Sequence, residues 1–516
     1  MKKSCLFLVL IMACAMPAYA QVEIYTEALF SAADGRHTPL WLNANKYGLS
    51  SLDKTNGYVR IGAFKPLGND STKQWKYALG ADLALAANFT STMIVQQLYG
   101  EIGWKKGVLT VGAKEQPLQL KNQELSAGSQ TLGINARPVP GVRLELPTYW
   151  NVPGTKGFLG LRGHVFYGWT TDDGWQKDFT TESKPPYSQN LIRTENTMLH
   201  TKAGYVRLGK ESKPLTVELG LEMGCQFGGT SYYFPGSPRP VMHNQGGLKG
   251  MLQALVPSGG DIVDENYRNK EGNHVGSWVA RVNYDATSWG LSAYADHYFE
   301  DQSSMFFLDY DGFGTGEEWD SWEHFNWLVY DLRDIQLGLE LHLKRCKWLN
   351  AAVLEYINTR YQSGPVYHDH TRTMPDHIGG RDGYYNHYIF TGWQHWGQVM
   401  GNPLYRSPLY NSDGVITVEN NRFRAFHLGI SGQPACGLHY RLLATWQKGW
   451  GNYMKPYIDP QTNVSLMAEA DYRFPTSSTL SGWEMTVAAA IDCGKLLGDN
   501  SGMQLTVRRC LSINSK

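Results

Sequence analysis

Residues 215–227 read LTVELGLEMGCQF. The odd positions Leu215, Val217, Leu219, Leu221, Met223, Cys225 and Phe227 are apolar, and Thr216, Glu218, Gly220, Glu222, Gly224 and Gln226 between them are polar or small. Side chains on a β-strand point alternately to opposite faces, so this is a strand with one oily face and one wet face. The run Ile335–Leu343 repeats the pattern, with Ile335, Leu337, Leu339, Leu341 and Leu343 against Gln336, Gly338, Glu340 and His342. The first run exceeds the usual soluble strand of about 5–6 residues. It is long enough to cross a bilayer, which takes about 9–11 tilted residues.

Working outward from these two, strand-like stretches recur from end to end: Val22–Phe30, Tyr58–Phe64, Trp75–Ala87, Met93–Trp104, Gly107–Glu115, Val142–Leu146, Phe158–Trp169, Lys202–Leu208, Val275–Tyr284, Gly290–Tyr298, Ala351–Thr359, Phe423–Ile430, Leu438–Trp446, Val464–Phe474, Trp483–Cys493 and Met503–Leu511. With the two already quoted they make about 18. Some joins are short, such as 285–288 and 346–348, and others are long, at 172–196, 299–334 and 361–421. Tight turns alternating with long loops are the asymmetry of an up-and-down transmembrane barrel. The wet face then carries Glu218, Glu222, Glu340, His342, Glu484 and Asp492, charges that a polar lumen accommodates and a closed sandwich core does not.

The N-terminus agrees with an envelope location. Lys2 and Lys3 precede the apolar Leu6–Met12, and Ala18-Tyr19-Ala20 is a small-x-small site, so residues 1–20 read as a secretory signal cleaved after Ala20. Cys14 offers a rival lipoprotein reading, against which Met12 fits poorly. No stretch is long and apolar enough for a transmembrane helix. Net charge is zero, so nothing points to nucleic acid as partner. The five cysteines beyond the signal are far apart and odd in number, which fits neither a disulfide framework nor a zinc ribbon. Residues 21–516 therefore read as a single outer-membrane β-barrel domain with long extracellular loops. Short helical segments are expected near 116–131 and 246–256, plugging the lumen or lying across its mouth.

The densest chemistry lies in the longest loop, SGPVYHDHTRTMPDHIGGRDGYYNHYIFTGWQHWGQVMGNPL at 363–404. Its five histidines and its carboxylates match no standard metal spacing, and the chain holds no GxSxG, HExxH or P-loop. No cofactor, metal or catalytic residue is expected. Flat aromatic faces stack on sugar rings, while Asp, Asn and Arg hydrogen-bond hydroxyls. The candidate polysaccharide-binding residues are Tyr367, His368, Asp369, Arg381, Asp382, Tyr384, Tyr385, Asn386, His387 and Trp393. The alternative is that Tyr384, Tyr385 and Trp393 form the loop's own core.

Several phrases carry a family resemblance: GPVYHDHT (364–371), GGRDGYYNH (379–387), TGWQHWGQVMGNPL (391–404), NNRFRAFHLGISG (420–432), HTPLWLNANKYG (37–48), LPTYWNVPGTKGFLGLRG (146–163) and HYFEDQSSM (297–305). Together they resemble the capsule assembly Wzi family as found in Bacteroides-type bacteria. The resemblance implies an outer-membrane barrel of about eighteen strands plugged by loops and short helices. It implies a lectin-like, non-catalytic role in capsule assembly or retention. The implied partners are capsular or exopolysaccharide, outer-membrane lipid and capsule export machinery. A porin-like channel and a secreted glycan-degrading enzyme are the competing readings.

Overall fold

The computed structural model describes residues 22–68, 73–180, 191–234, 236–238, 240–256, 272–300, 311–314, 316–324, 332–367, 371–373 and 378–513. The signal expected at 1–20 lies outside them. Eighteen strands form the wall: β1 (Val22–Asp34), β2 (Thr55–Lys65), β3 (Trp75–Ala87), β4 (Met93–Trp104), β5 (Gly107–Ala113), β6 (Gly141–Asn151), β7 (Leu159–Trp169), β8 (Met198–Leu208), β9 (Leu215–Phe227), β10 (Asn273–Asp285), β11 (Trp289–Glu300), β12 (Ile335–Leu343), β13 (Ala351–Asn358), β14 (Phe423–Ala435), β15 (Leu438–Gly451), β16 (Pro456–Arg473), β17 (Trp483–Gly494) and β18 (Asn500–Ile513). Each strand pairs antiparallel with the next in sequence. β1 pairs with β18 from Val22↔Ile513 to Asp34↔Ser501, so the sheet closes and leaves no edge. The protein is a transmembrane up-and-down barrel.

Register explains why the alternating sequence demands this wall. In β9, Glu218, Gly220, Glu222 and Gly224 point inward, and Leu215 and Leu219 stand exposed on the outside. The same phase leaves Val59, Leu85, Leu144, Leu339, Leu354, Leu428 and Met503 exposed. An apolar outer face of this kind is satisfied by hydrocarbon. Rings mark both borders of the band. Trp75 and Trp104 lie 6.2 Å apart at one end, while Tyr356, Phe426 and Trp446 form a row at the other. All six connections of 20 or more residues (35–54, 114–140, 170–197, 228–272, 301–334 and 359–422) leave the end opposite the termini. The end holding the termini has connections of nine residues or fewer, such as the two-residue turns 105–106 and 436–437. This is the asymmetry of outer-membrane barrels, whose long loops are extracellular.

The lumen is filled. Segments 35–54, 114–140 and 384–422 fold inward and share one apolar core with the wall. It joins Trp41, Leu42, Leu125, Tyr385, Trp393, Leu404 and Tyr405 to Val275, Val353, Phe423 and Met467. The inward charges bind this plug. Asp296 takes the Lys121 ammonium at 2.6 Å and the Gln130 N–H at 3.1 Å. Glu355 accepts the Ser126 hydroxyl and the Ala127 N–H, both at 2.7 Å. Glu222 accepts the Ser129 hydroxyl at 3.3 Å, and Asp492 accepts the Leu40 N–H at 3.0 Å. Buried carboxylates are tolerated because each has such donors.

Two helical expectations come out differently. Residues 116–131 form no helix. Pro117 brings no donor, Leu120 sits at φ 56°, and the Asn122 side chain accepts the Glu124 and Leu125 N–H groups, replacing helical bonds with local ones. The segment near 246–256 is helical, as α3 (Gly247–Leu255), following α1 (Leu40–Asn43) and α2 (Trp175–Phe179). It lies neither in the lumen nor across its mouth. Ala254 and Met251 pack on Cys225, Phe227, Tyr167 and Met198, side chains in the outward phase of β7, β8 and β9, so α3 lies on the outer wall. Lys202 donates to the Ala254 and Leu255 carbonyls at its C-terminal end. Leu248 and Leu252 remain 80% and 66% exposed.

Candidate functional site

The long connection 359–422 divides into two parts of opposite character. Its first part is a ribbon, Ser363–Tyr367 paired with Ile378–Arg381, at the end of the barrel opposite the termini. A second ribbon, Asp311–Phe313 with Trp322–His324, stands beside it, and Arg372 pairs with Glu317 between them. Trp322 is exposed and meets Phe313 edge to face at 4.9 Å. Arg381 is exposed, and Asp382 is half-buried with its N–H on the Gln362 carbonyl. Together these side chains make a cap of rings, guanidiniums and carboxylates. It can stack on flat apolar rings and hydrogen-bond hydroxyls or acidic groups.

The second part is the plug. Tyr384, Tyr385 and Trp393 are 0%, 0% and 1% exposed. Tyr385 stacks on Tyr405 at 3.9 Å, and Tyr384 meets Tyr298 edge to face at 4.7 Å. The Trp393 indole N–H donates to the Thr131 carbonyl at 2.9 Å. Its ring covers Gly224, where even a Cβ would come within 2.2 Å. These three rings, expected to stack on sugar, have their faces occupied by other side chains. Asn386 is equally engaged, its amide bridging the Val418 carbonyl, the Val418 N–H and the Thr417 hydroxyl. The His387 ring stacks on Tyr388 at 4.6 Å, and burial pushes its pKa down to about 3. Of the remaining candidates, Tyr367 ends the first strand of the ribbon, while His368 and Asp369 lie outside the described residues.

The structure thus leaves Arg381 exposed and Asp382 half-buried, and it buries Tyr384, Tyr385 and Trp393. Trp322 and Arg372 were absent from the sequence candidates, and no sequence signal singles them out in a loop of short strands. His395 is also internal. Its Nδ1 meets the Arg137 carbonyl at 2.9 Å, its Nε2 accepts the Thr171 N–H at 3.1 Å, and burial lowers its pKa to about 4. Among the described residues, no three His, Cys, Asp or Glu side chains converge as a metal site.

Wall, plug and cap define a class: a plugged transmembrane barrel of the outer-membrane type. Comparison with solved structures places the fold there too. The chain superimposes on Wzi, described as an outer-membrane protein involved in group 1 capsule assembly in Escherichia coli and as a carbohydrate-binding β-barrel. The TM-score is 0.53 at 12% identity, over 97% of this chain and 87% of that one. Pseudomonas aeruginosa OccK11 (OpdR) matches at TM-score 0.46 and 8% identity, over 96% of both chains. Pseudomonas aeruginosa OprD matches at 0.44 and 11%, over 96% of this chain and 95% of that one. No protein-family model matches the sequence. No curated protein matches it either.

Proposed function

We propose that the protein is a closed outer-membrane barrel that holds capsular or other surface polysaccharide at its extracellular cap and supports capsule assembly or retention without catalysis. The observation that carries this reading is the filled lumen. An apolar core and buried ion pairs occupy the space through which a channel would conduct. A barrel of this kind has its loops left to work with. The Escherichia coli barrel with the similar fold binds carbohydrate, which supports the same assignment. Trp322 and Tyr367 supply rings, and Arg372, Arg381, His368, Asp369 and Asp382 supply polar groups. Tyr384, Tyr385, Asn386, His387 and Trp393 hold the base of the cap in place. Residues 1–20 act as the cleaved leader, the loops stand at the cell surface, and capsule export proteins are partners.

A single stacked ring contributes about 0.5–1.5 kcal/mol beyond its buried area by analogy with aromatic pairs. Each site then binds weakly, and retention comes from many copies engaging one polymer. The test uses purified protein and capsular polysaccharide in a co-sedimentation assay. Trp322→Ala with Arg381→Ala should lower the bound fraction at least tenfold while the barrel still inserts. Unchanged binding removes the cap assignment. Large steady currents from the wild type in planar bilayers would replace the reading with a channel, and new reducing ends on the polymer would replace it with an enzyme.

A further inference from the structure

The outer wall is apolar below the extracellular ring row and cationic directly above it. Register sets the rows. Leu337, Tyr356, Phe426 and Trp446 stand opposite one another on β12 to β15. The next outward row is Ile335, Asn358, Arg424 and Lys448. One row further out, the same phase brings Arg333, Arg360, Arg422 and Trp450, where the ladder continues through the Trp450 N–H on the Arg422 carbonyl and the Thr359 N–H on the Phe423 carbonyl. With strands about 4.8 Å apart and two residues rising about 7 Å, the four cations Arg360, Arg422, Arg424 and Lys448 occupy a patch of roughly 15 by 7 Å, beside Arg333.

Rings, not carboxylates, hold Arg360, Arg422 and Lys448 among the described residues, and Arg333 also meets a ring. Arg360 lies over Trp450 at 4.6 Å, Arg422 over Tyr453 at 3.8 Å, Arg333 over Tyr361 at 3.9 Å and Lys448 near Trp450 at 5.6 Å. Arg424 Nε donates to the Asn358 side chain at 3.2 Å, and Arg422 Nε to the Arg360 carbonyl at 3.1 Å. Among the described residues, no carboxylate lies within 4.0 Å of the charged groups of Arg360, Arg422, Arg424 or Lys448. Burial and the neighbouring Arg360 and Arg381 guanidiniums hold the Arg422 pKa below its usual range. Like charges crowded together and oriented by stacking, with their donors uncommitted to acids, form an anion-binding surface.

We infer that this patch is a docking site for the phosphate groups of an outer-leaflet glycolipid such as lipid A. The position argues for a lipid over a free polymer. Aromatic girdles sit at headgroup level, and the cations stand one and two rows beyond the girdle on the lipid-facing side of the wall. The acyl chains of a bound glycolipid would run down Leu337, Leu339, Leu354 and Leu428, which are exposed below the rings. The inference does not require polysaccharide binding at the cap.

The experiment titrates detergent-solubilised full-length protein with bisphosphorylated lipid A and follows tryptophan fluorescence. Saturable binding by the wild type is expected. Lipid A stripped of phosphate should bind at least tenfold more weakly, an arm that needs no variant. Replacing Arg360, Arg422, Arg424 and Lys448 by Gln should weaken binding at least tenfold. Replacing Arg345 and Lys347, exposed at the opposite end, should leave it unchanged. Inorganic phosphate at matching concentration should not displace the lipid. Equal binding of the dephosphorylated lipid, displacement by inorganic phosphate, or an acidic polysaccharide competing at the patch as tightly as lipid A would each overturn the assignment.

Discussion

The barrel carries two populations of cations that differ in what faces them. Inside, Arg60 meets Glu27 at 3.0 Å, Arg281 meets Glu340 at 2.8 Å, Arg441 meets Glu469 at 2.5 Å and Lys121 meets Asp296 at 2.6 Å. Outside, above the girdle, Arg360 and Arg422 lie against Trp450 and Tyr453. An interior charge needs a partner inside the barrel, because a dry site imposes the full desolvation cost; Arg137, which pairs with no acid among the described residues, lies over Trp396 and donates to the Thr90 hydroxyl. A rim charge needs none, because headgroups and water reach it. The comparison teaches that the acid-paired cations inside this barrel are internal fasteners, while Arg360 and Arg422 meet rings in place of acids.

The largest expected effect is on the inside. Lys121→Met leaves Asp296 buried without its ammonium, and should cost about 3–5 kcal/mol, read as a lower urea midpoint for the folded barrel. If the variant unfolds at the wild-type midpoint, the contrast between the two populations fails. Next in size is the pH dependence of the plug. Folded His395 stays neutral down to about pH 4, whereas an unfolded histidine takes up its proton near 6.5. Between those values the unfolded chain binds more protons, so stability falls as pH drops from about 6.5 toward 4. The gap is worth about 3 kcal/mol, and His395→Gln should make the acid limb of a stability–pH curve shallower. Gly224→Ala drives a Cβ into the Trp393 ring and should cost about 1–3 kcal/mol by displacing the plug. Raised conductance in planar bilayers would accompany it. Smallest of all, Arg424→Gln should move the unfolding midpoint by no more than about 0.5 kcal/mol, because it breaks no buried pair. A loss as large as that of Lys121→Met would show the rim to be structural.

The wall was legible because its physics is local. Alternation with period two names a strand and its outward face, and the runs Trp75–Ala87, Met93–Trp104, Leu215–Phe227 and Ile335–Leu343 fall at their observed limits. Ends were harder where polar residues continue the ladder, as in β16, which starts at Pro456 instead of Val464. The plug was legible only in part. Nothing in GRDGYYNHYIFTGW says whether its rings face sugar or each other, since that depends on Tyr298, Tyr405 and Thr131, all far away in sequence. The sequence of α3 named a short helix but not its partner, because either side of the wall could have received it. The rim cations were readable in principle. Arg422 and Arg424 share the phase of Phe426 and Leu428, but the neighbouring strands supply the rest of the patch.

The seam between the first and last strands makes the plug a captive of the wall. Plug residues 35–54, 114–140 and 384–422 all precede β18 in the chain, and β18 supplies the final 13 residue pairs that shut the cylinder against β1. Once the seam is shut, these segments are enclosed by a continuous ladder. A plug segment can then leave only through the mouth or by unzipping strands.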